Sequence, residues 1–271
     1  MLADDTGALA VLTRPQGSNE SLAKRLRQVG IQVSVLPLLA LEPVSARAPA
    51  PDGYDLVMFV SAAAARFYFQ QMRADGCVPA WPVATLACTV GPTSAQALRD
   101  TGLVPDHSLV HPGIDSVTHD SEALWKLLVP RLPSIRRALI VRGQRGREWL
   151  GHQLEEAGVM VDRHAAYHRE PCVWTLEQSA GLAGQLAAAS TATCLVTSVE
   201  SVDALHANIR DHAAQWRQLW ESVRFVTIHP RVASRLQSCF PALRAAPSSV
   251  RLCAADDDAV FQAIRSTASS S

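Results

Sequence analysis

The chain has 271 residues, of which 48% are hydrophobic and 18% charged, and its 25 Lys and Arg balance its 25 Asp and Glu. This apolar content excludes a disordered chain and predicts one large domain or two of ordinary size. The zero net charge disfavours nucleic-acid and membrane binding, because both depend on a positive excess. A small anionic ligand remains compatible with it, since such a ligand needs only a local site.

The chain start and the cysteines indicate the cellular compartment. The first ten residues hold Asp4 and Asp5 but no basic residue, which is unlike a secretory signal. The six cysteines form no Cys-x-x-Cys pair, and several stand in apolar runs. This pattern favours reduced thiols packed as small hydrophobes over disulfides or a metal site. We therefore predict a cytoplasmic protein.

A short apolar run, a polar turn and an amphipathic helix follow one another along the chain. The first unit predicts a strand over 8–12 and a helix over 20–29, which Gly30 ends. Further strands are predicted at 31–36, 56–60, 85–90, 138–141, 159–162, 194–196 and 224–228. Apolar strands separated by helices predict an α/β fold whose parallel sheet is covered on both faces.

The chain also contains an internal repeat, which predicts two similar α/β halves. The matched segments are 11–14 with 139–142 at a shift of 128 residues, 60–61 with 197–198 at 137, and 89–92 with 227–230 at 138.

Two proline-containing stretches bracket the middle of the chain, at 42–53 and 169–171. If both are linkers, residues 44–171 form a domain inserted into another domain. A simple tandem division near 129–133 is the alternative that the residues alone leave open.

The residues suited to chemistry stand in turns between a strand and the following helix. The chain has no phosphate-binding loop, nucleophile elbow or zinc-protease motif. In open α/β sheets ligands bind at the carboxyl edge of the strands, where helix N-termini offer N–H groups to carboxylates or phosphates. The candidate binding residues in these turns are Arg14, Ser61, Ser94, Arg142, Gly143, Thr197, Ser198 and Pro230.

Each of these residue types also has a purely structural interpretation. The three serines can be helix N-caps, because that position prefers Ser or Thr. Arg14 and Arg142 stand in equivalent turns and suit carboxylate ligands, but they can equally form structural ion pairs.

Taken together and in order, these motifs resemble those of the uroporphyrinogen-III synthase family, from about residue 8 to residue 263. The matching segments are 11–15, 55–61, 89–95, 120–124, 141–143 with 146–147, and 167–169. The resemblance implies two flavodoxin-like three-layer domains with parallel sheets, joined by a two-stranded linker, with the active site in the interdomain cleft. It also selects the inserted arrangement, in which domain 1 comprises 1–43 and 172–271 and domain 2 comprises 44–171.

The resemblance further implies the reaction. Hydroxymethylbilane loses its terminal hydroxyl as water, its ring D is inverted, and the macrocycle closes to uroporphyrinogen III in haem biosynthesis. The family uses no metal or cofactor. The implied protein is a monomer that binds neither nucleic acid nor membrane, and it can transiently contact hydroxymethylbilane synthase.

One residue of the resemblance is a candidate acid. Tyr167 matches the family tyrosine that is proposed to assist loss of the hydroxyl. A phenol is protonated at neutral pH and can donate to that oxygen. Without the resemblance, a tyrosine at this place can simply pack with its hydroxyl in water.

The chain departs from the family pattern at four positions. Val60 and Ala63 stand where Thr and Asn are common, and His229 and Val232 replace a Gly and a Thr. We expect a bulky His229 to narrow the cleft. The departures at Val60, His229 and Val232 leave open a diverged non-catalytic protein that binds tetrapyrrole or only partners. A second alternative, of a different class, is a two-domain sensor that closes on a small anionic ligand without chemistry.

Overall fold

The computed structural model describes residues 7–76, 80–113, 120–210, 214–245 and 249–268. The strands in these ranges are β1 (Ala8–Leu12), β2 (Gln32–Val35), β3 (Leu39–Pro43), β4 (Leu56–Phe59), β5 (Leu86–Thr89), β6 (Leu109–Val110), β7 (Arg137–Gly143), β8 (Met160–Pro171), β9 (Thr191–Leu195), β10 (Arg224–Thr227) and β11 (Val250–Leu252). The α-helices are α1 (Glu20–Gln28), α2 (Ala62–Ala74), α3 (Pro92–Asp100), α4 (Ser121–Leu128), α5 (Trp149–Glu156), α6 (Leu176–Ala188), α7 (Val199–Arg210), α8 (Ala214–Glu221), α9 (Pro230–Cys239), α10 (Ala242–Ala245) and α11 (Asp257–Ala268). Among these elements, no helix has the length and apolar character needed to cross a membrane.

The chain divides into two compact units. Unit 1 comprises residues 1–40 and 170–271, and unit 2 comprises residues 41–169. The sheet of unit 1 has the order β2-β1-β9-β10-β11, with every neighbouring pair parallel. Counted within the unit this order is 2-1-3-4-5, which is that of a flavodoxin-like sheet. The predicted α/β class with parallel sheets is confirmed.

Unit 2 contains the same spatial arrangement reached by a different path along the chain. Its sheet has the order β3-β8-β7-β4-β5-β6, parallel from β8 to β6. The sequence repeat pairs β7 with β1, β4 with β9 and β5 with β10. The order β8-β7-β4-β5-β6 therefore corresponds strand for strand to β2-β1-β9-β10-β11. Because β4 to β6 precede β7 and β8 in the chain, the two units are circular permutations of one architecture.

The first stretch predicted as a linker begins within a strand, β3. The amide of Val44 donates to Ala166 (3.1 Å) and that of Cys172 donates to Leu38 (2.9 Å), so β3 runs antiparallel to the second half of β8. This pairing explains why β8 continues to Pro171, beyond the predicted end at residue 162. The residue pattern alone missed β3, because Glu and Pro at its end are typical of a loop. The pairing of β3 with β8 agrees with the two-stranded linker that the family resemblance implies.

Alternate residues of each central strand enter two separate cores. In β1, Leu9 and Val11 join one cluster with residues of α6, α7 and α9, while Ala10 and Leu12 join another with α1 and α11. In unit 2, α2 and α3 cover one face of the sheet and α4 and α5 cover the other. Each unit therefore has three layers, since both faces of a buried parallel sheet must be covered.

A buried polar cluster ties α2 to β3 and β8 in unit 2. The amide nitrogen of Gln71 donates to the carbonyls of Val44 (2.7 Å) and Ala166 (3.2 Å). Its Oε1 lies 2.7 Å from Nε2 of His164, which is buried. Because an amide oxygen only accepts, Nε2 carries the proton. Burial lowers the pKa of His164, so the ring is neutral in the folded protein at neutral pH.

This cluster predicts an acid-sensitive contribution to stability. The unfolded chain protonates His164 near its ordinary pKa of about 6.5, whereas the folded protein protonates it only at lower pH. The unfolded state therefore binds more protons as the pH falls below that value, and stability is lost. We expect the free energy of unfolding, measured with urea from pH 7.5 to pH 5, to fall less steeply in His164→Gln than in the native protein. His107→Gln, which changes an exposed histidine, is the control, and parallel pH curves for native protein and His164→Gln would contradict this account.

Candidate functional site

The carboxyl edge of the unit 2 sheet brings Ser61, Gly143 and Tyr167 together. Ser61 is the N-cap of α2, and its Oγ accepts a hydrogen bond from the amide of Ala64 (3.1 Å). The hydroxyl oxygens of Ser61 and Tyr167 lie 3.4 Å apart. Gly143 pairs with Tyr167 across β7 and β8. The N-cap interpretation of Ser61 is therefore correct, and the same hydroxyl also faces the candidate acid.

Tyr167 reaches this edge through a β-bulge in β8. The register pairs Arg142 with Ala165 but Gly143 with Tyr167, so Ala166 is the extra residue. A bulge redirects the following side chain, as it does beside many active sites. Tyr167 is only 4% exposed. An O–H···O separation is usually about 2.7–2.8 Å, so the contact with Ser61 is weak and the phenol proton can move to a better acceptor.

Arg142, the second arginine of the predicted site, is bound by its own chain. Its guanidinium forms an ion pair with Glu148, and its Nε donates to the carbonyl of Gly143 (3.1 Å). Glu148 also accepts from Arg163 (2.9 Å), which in turn pairs with Glu155 (2.8 Å). Burial lowers the pKa of Arg142, with Arg163 adding to the effect, yet a guanidinium remains charged at neutral pH. The structural ion-pair interpretation of Arg142 is the one observed.

The equivalent arginine of unit 1 is paired in the same way. Arg14 donates to Asp257, the first residue of α11, at 2.6 Å. The side-chain amide of Asn19 donates to the Arg14 carbonyl (2.8 Å) and fixes the turn. Arg142 and Gly143 were predicted in a turn, but both lie at the end of β7, because this strand continues its pairing with β8. Both repeats therefore keep an arginine at or just after the end of the equivalent strand and pair it with a carboxylate at a helix start, Glu148 or Asp257.

Thr197 and Ser198 precede α7 at the carboxyl edge of the unit 1 sheet. Both are half-buried, and the Oγ of Ser198 accepts from the amide of Ser201 (3.1 Å). Ser198 is thus an N-cap, like its repeat counterpart Ser61. Ser94 differs from both, because it lies at the third position of α3, whose N-cap is Gly91.

Two of the departures from the family pattern have structural roles at α9. Pro230 is the first residue of this helix, and Nδ1 of His229 accepts from the amide of Arg231 (3.1 Å). His229 is therefore a helix N-cap. Val232 is buried in the core of unit 1, where a valine packs without an unsatisfied hydroxyl.

These arrangements suit an anionic ligand and proton donation. The first turns of α2 and α3 in unit 2, and of α7 and α9 in unit 1, present backbone N–H groups at the carboxyl edges of their sheets. Each such terminus stabilises a nearby anion by about 0.3–1 kcal/mol when exposed. In unit 2 the phenol of Tyr167 lies beside the N-terminus of α2. The same edge of the sheet can therefore bind an anion and donate a proton to an oxygen atom.

Sequence reasoning missed two residues of this region. Phe67 stacks on Tyr167 with ring centroids 5.5 Å apart, and Glu148 binds two arginines. The repeat superposes Glu148 on Glu20, which was a usable signal for a structural carboxylate. Phe67 carried no signal, because an aromatic residue on a helix usually indicates core packing.

The family model described as "Uroporphyrinogen-III synthase HemD" matches residues 20–246. Among curated proteins, "Uroporphyrinogen-III synthase" of Salmonella typhimurium is 34% identical over 167 residues, and its namesake of Escherichia coli K12 is 30% identical over 167 residues. Each match covers 59% of this chain and 64% of the relative, so the chain spans less than two thirds of their length.

The fold likeness extends further. The structure titled uroporphyrinogen-III synthetase from Helicobacter pylori 26695 superposes with a TM-score of 0.59, at 14% identity, over 96% of this chain and 99% of that one. The family model itself covers most of the 271 residues, and on this ground the chain belongs to the uroporphyrinogen-III synthase family.

Proposed function

We propose that this protein cyclises hydroxymethylbilane to uroporphyrinogen III, with loss of water and inversion of ring D, in tetrapyrrole (haem) biosynthesis. The observation that carries the proposal is the family match over residues 20–246. The substrate is a small linear tetrapyrrole, and the reaction class is that of a cyclising hydro-lyase.

The chemistry of the substrate agrees with the edges of the two sheets. Hydroxymethylbilane carries eight carboxylates, which suit helix N-termini, whose uncharged N–H groups add nothing to the net charge of the protein. Arg14 and Arg142 are charge-matched within the chain, so substrate carboxylates must either use the backbone or displace Asp257 and Glu148.

The catalytic demand is mainly one of conformation. Free hydroxymethylbilane closes unaided to the uninverted isomer, so the protein has to favour the spiro intermediate that leads to inversion. Positioning of reacting groups can supply up to roughly 7–11 kcal/mol, and each 1.4 kcal/mol between the two closures changes the product ratio about tenfold. Few catalytic side chains are then needed, in agreement with the absence of the common catalytic motifs from the sequence.

Tyr167 is the acid in this proposal. Its hydroxyl donates a hydrogen bond, and finally a proton, to the terminal oxygen of the substrate, which leaves as water. The weak 3.4 Å contact with Ser61 supports this role, because it does not consume the phenol proton. Substrate contacts from Ser61, Ser94 and Gly143 in unit 2, and from Thr197, Ser198 and Pro230 in unit 1, stay predictions.

We also propose that the two compact units are the predicted domains, with residues 44–171 inserted between 1–43 and 172–271. The monomeric state, the cytoplasmic location and a transient contact with hydroxymethylbilane synthase stay predictions as well.

The proposed reaction predicts an isomer shift. Freshly prepared hydroxymethylbilane, incubated with the protein, oxidised and resolved by chromatography, should give mainly the type III porphyrin, whereas a blank gives type I. Type I alone, formed at the blank rate, would leave only the non-catalytic alternatives.

Removal of the Tyr167 hydroxyl should slow the chemical step. General-acid assistance is typically worth about 10²–10⁴-fold, so we expect Tyr167→Phe to lower kcat for type III formation by about 10²-fold or more. Tyr54→Phe is the matched control, since the Tyr54 hydroxyl bonds Asp162 (3.0 Å) and lies outside the candidate site. Full initial rate in Tyr167→Phe would exclude the acid role.

Variants of Arg142 and Glu148 distinguish a role in substrate binding from a purely structural role. If a substrate carboxylate replaces Glu148 on Arg142, Arg142→Ala should raise KM by about tenfold and Glu148→Gln should lower it, because the competing charge is gone. If the pair is only structural, both variants should lower the urea midpoint of unfolding and leave KM unchanged. Steady-state kinetics and urea unfolding on the same preparations decide between the two.

A further inference from the structure

We infer that Gly143 is a positioning residue for Tyr167: the missing side chain at residue 143 leaves the slot in which the phenol ring is held beside Ser61. The inference rests on the proposed function and adds a residue that acts through the acid instead of through the substrate.

Close approach, and not backbone conformation, is what requires glycine here. A Cβ at residue 143 would lie 3.0 Å from Cε2 and Cζ of Tyr167 and 3.3 Å from its hydroxyl oxygen. Carbon atoms in good contact are about 3.5–4.0 Å apart, so the ring would have to move by a few tenths of an ångström. Gly143 does not have the positive φ of the left-handed region, so alanine can adopt its backbone conformation without strain. An alanine therefore acts on the ring alone.

The remaining contacts of Tyr167 make its hydroxyl end the part that moves. Its carbonyl accepts from the amide of Gln144 (2.9 Å), which fixes the backbone of the bulge. The ring of Phe67 stacks on it with an interplanar angle of 26°. A clash at Cζ and the hydroxyl oxygen, with the backbone held, tilts the ring and displaces the hydroxyl from Ser61.

The slot is absent from the other repeat, so it is not a requirement of the fold. At the two repeat shifts, Gly143 corresponds to Pro15, Tyr167 to Leu39 and Phe67 to Ala204, and only the capping serine is common to both units. Gly143 and Phe67, which shape the slot, thus occur together only in the unit that contains the candidate acid.

The test is a double-mutant cycle on the whole protein. We expect Gly143→Ala to lower kcat for type III formation by about three- to tenfold, with KM changed less than about twofold. A displacement of about 1 Å at a reacting group can cost about 10²-fold, and the added Cβ moves the ring by less than that. In a Tyr167→Phe background, Gly143→Ala should not lower kcat further, since no hydroxyl remains to be positioned. Gly53→Ala, also in unit 2 and with open space around its added Cβ, should retain native kinetics.

The outcomes separate this inference from the proposed function. An unchanged kcat in Gly143→Ala, a rise in KM alone, or a loss that persists in the Tyr167→Phe background would overturn the positioning role. Full rate in Tyr167→Phe would overturn it too, while type III product from the native protein would leave the proposed reaction standing. If Gly143→Ala does not fold, Phe67→Leu is judged by the same cycle, with an expected kcat loss of about three- to tenfold.

Discussion

Burial of each parallel sheet on both faces is the constraint on which the site depends. Every strand of such a sheet must be followed by a helix that returns across one face, and all strands then end at the same edge. Leu9 and Ala10 show the consequence in β1, since neighbouring residues enter different cores and leave no room for a polar group within the strand. Few polar side chains lie within the strands, and those that do, such as His164 in β8, are buried, so most of the polar groups that can meet a ligand lie at the carboxyl edge.

The same constraint agrees with the proposed binding of a polyanion by a chain of zero net charge. The edge presents helix N-termini, whose partial positive charge comes from backbone N–H groups and requires no basic residue. Arg14 and Arg142, the two basic residues best placed by sequence, are each held by a carboxylate of their own unit. Arg14 holds the turn between β1 and α1, and Arg142 holds the segment between β7 and α5, so neither lies at the termini that present these N–H groups. A substrate carboxylate gains from either arginine only by exchange with Asp257 or Glu148.

The sequence predicted most strands and helices and the serine N-caps, whereas features that depend on contacts between distant segments could not be predicted from it. Periodicity located β1 and α1, and the repeat showed that two sheets share one plan. The serines before α2 and α7 were foreseen as N-caps, because that position has a strong local preference. The residue pattern alone did not identify β3, whose end it assigned to a linker, since the stability of this strand comes from pairing with β8, a contact between segments far apart in sequence. The bulge at Ala166 had no local signature either, although it decides where Tyr167 points.

That bulge is also where stability and chemistry meet. An extra residue in a strand leaves backbone groups outside the regular ladder, and here the carbonyl of Ala166 accepts from the amide of Val44 and from the side chain of Gln71. Gln71 is in turn held by His164, a buried ring that must remain neutral. The neighbouring carbonyl, that of Tyr167, accepts from Gln144. These hydrogen bonds, which begin in the polar cluster formed by Gln71 and His164, fix the backbone of the bulge. The slot at Gly143 then positions the phenol ring on that fixed backbone. In the proposed enzyme, the precision of the acid therefore depends on residues that no catalytic motif would include.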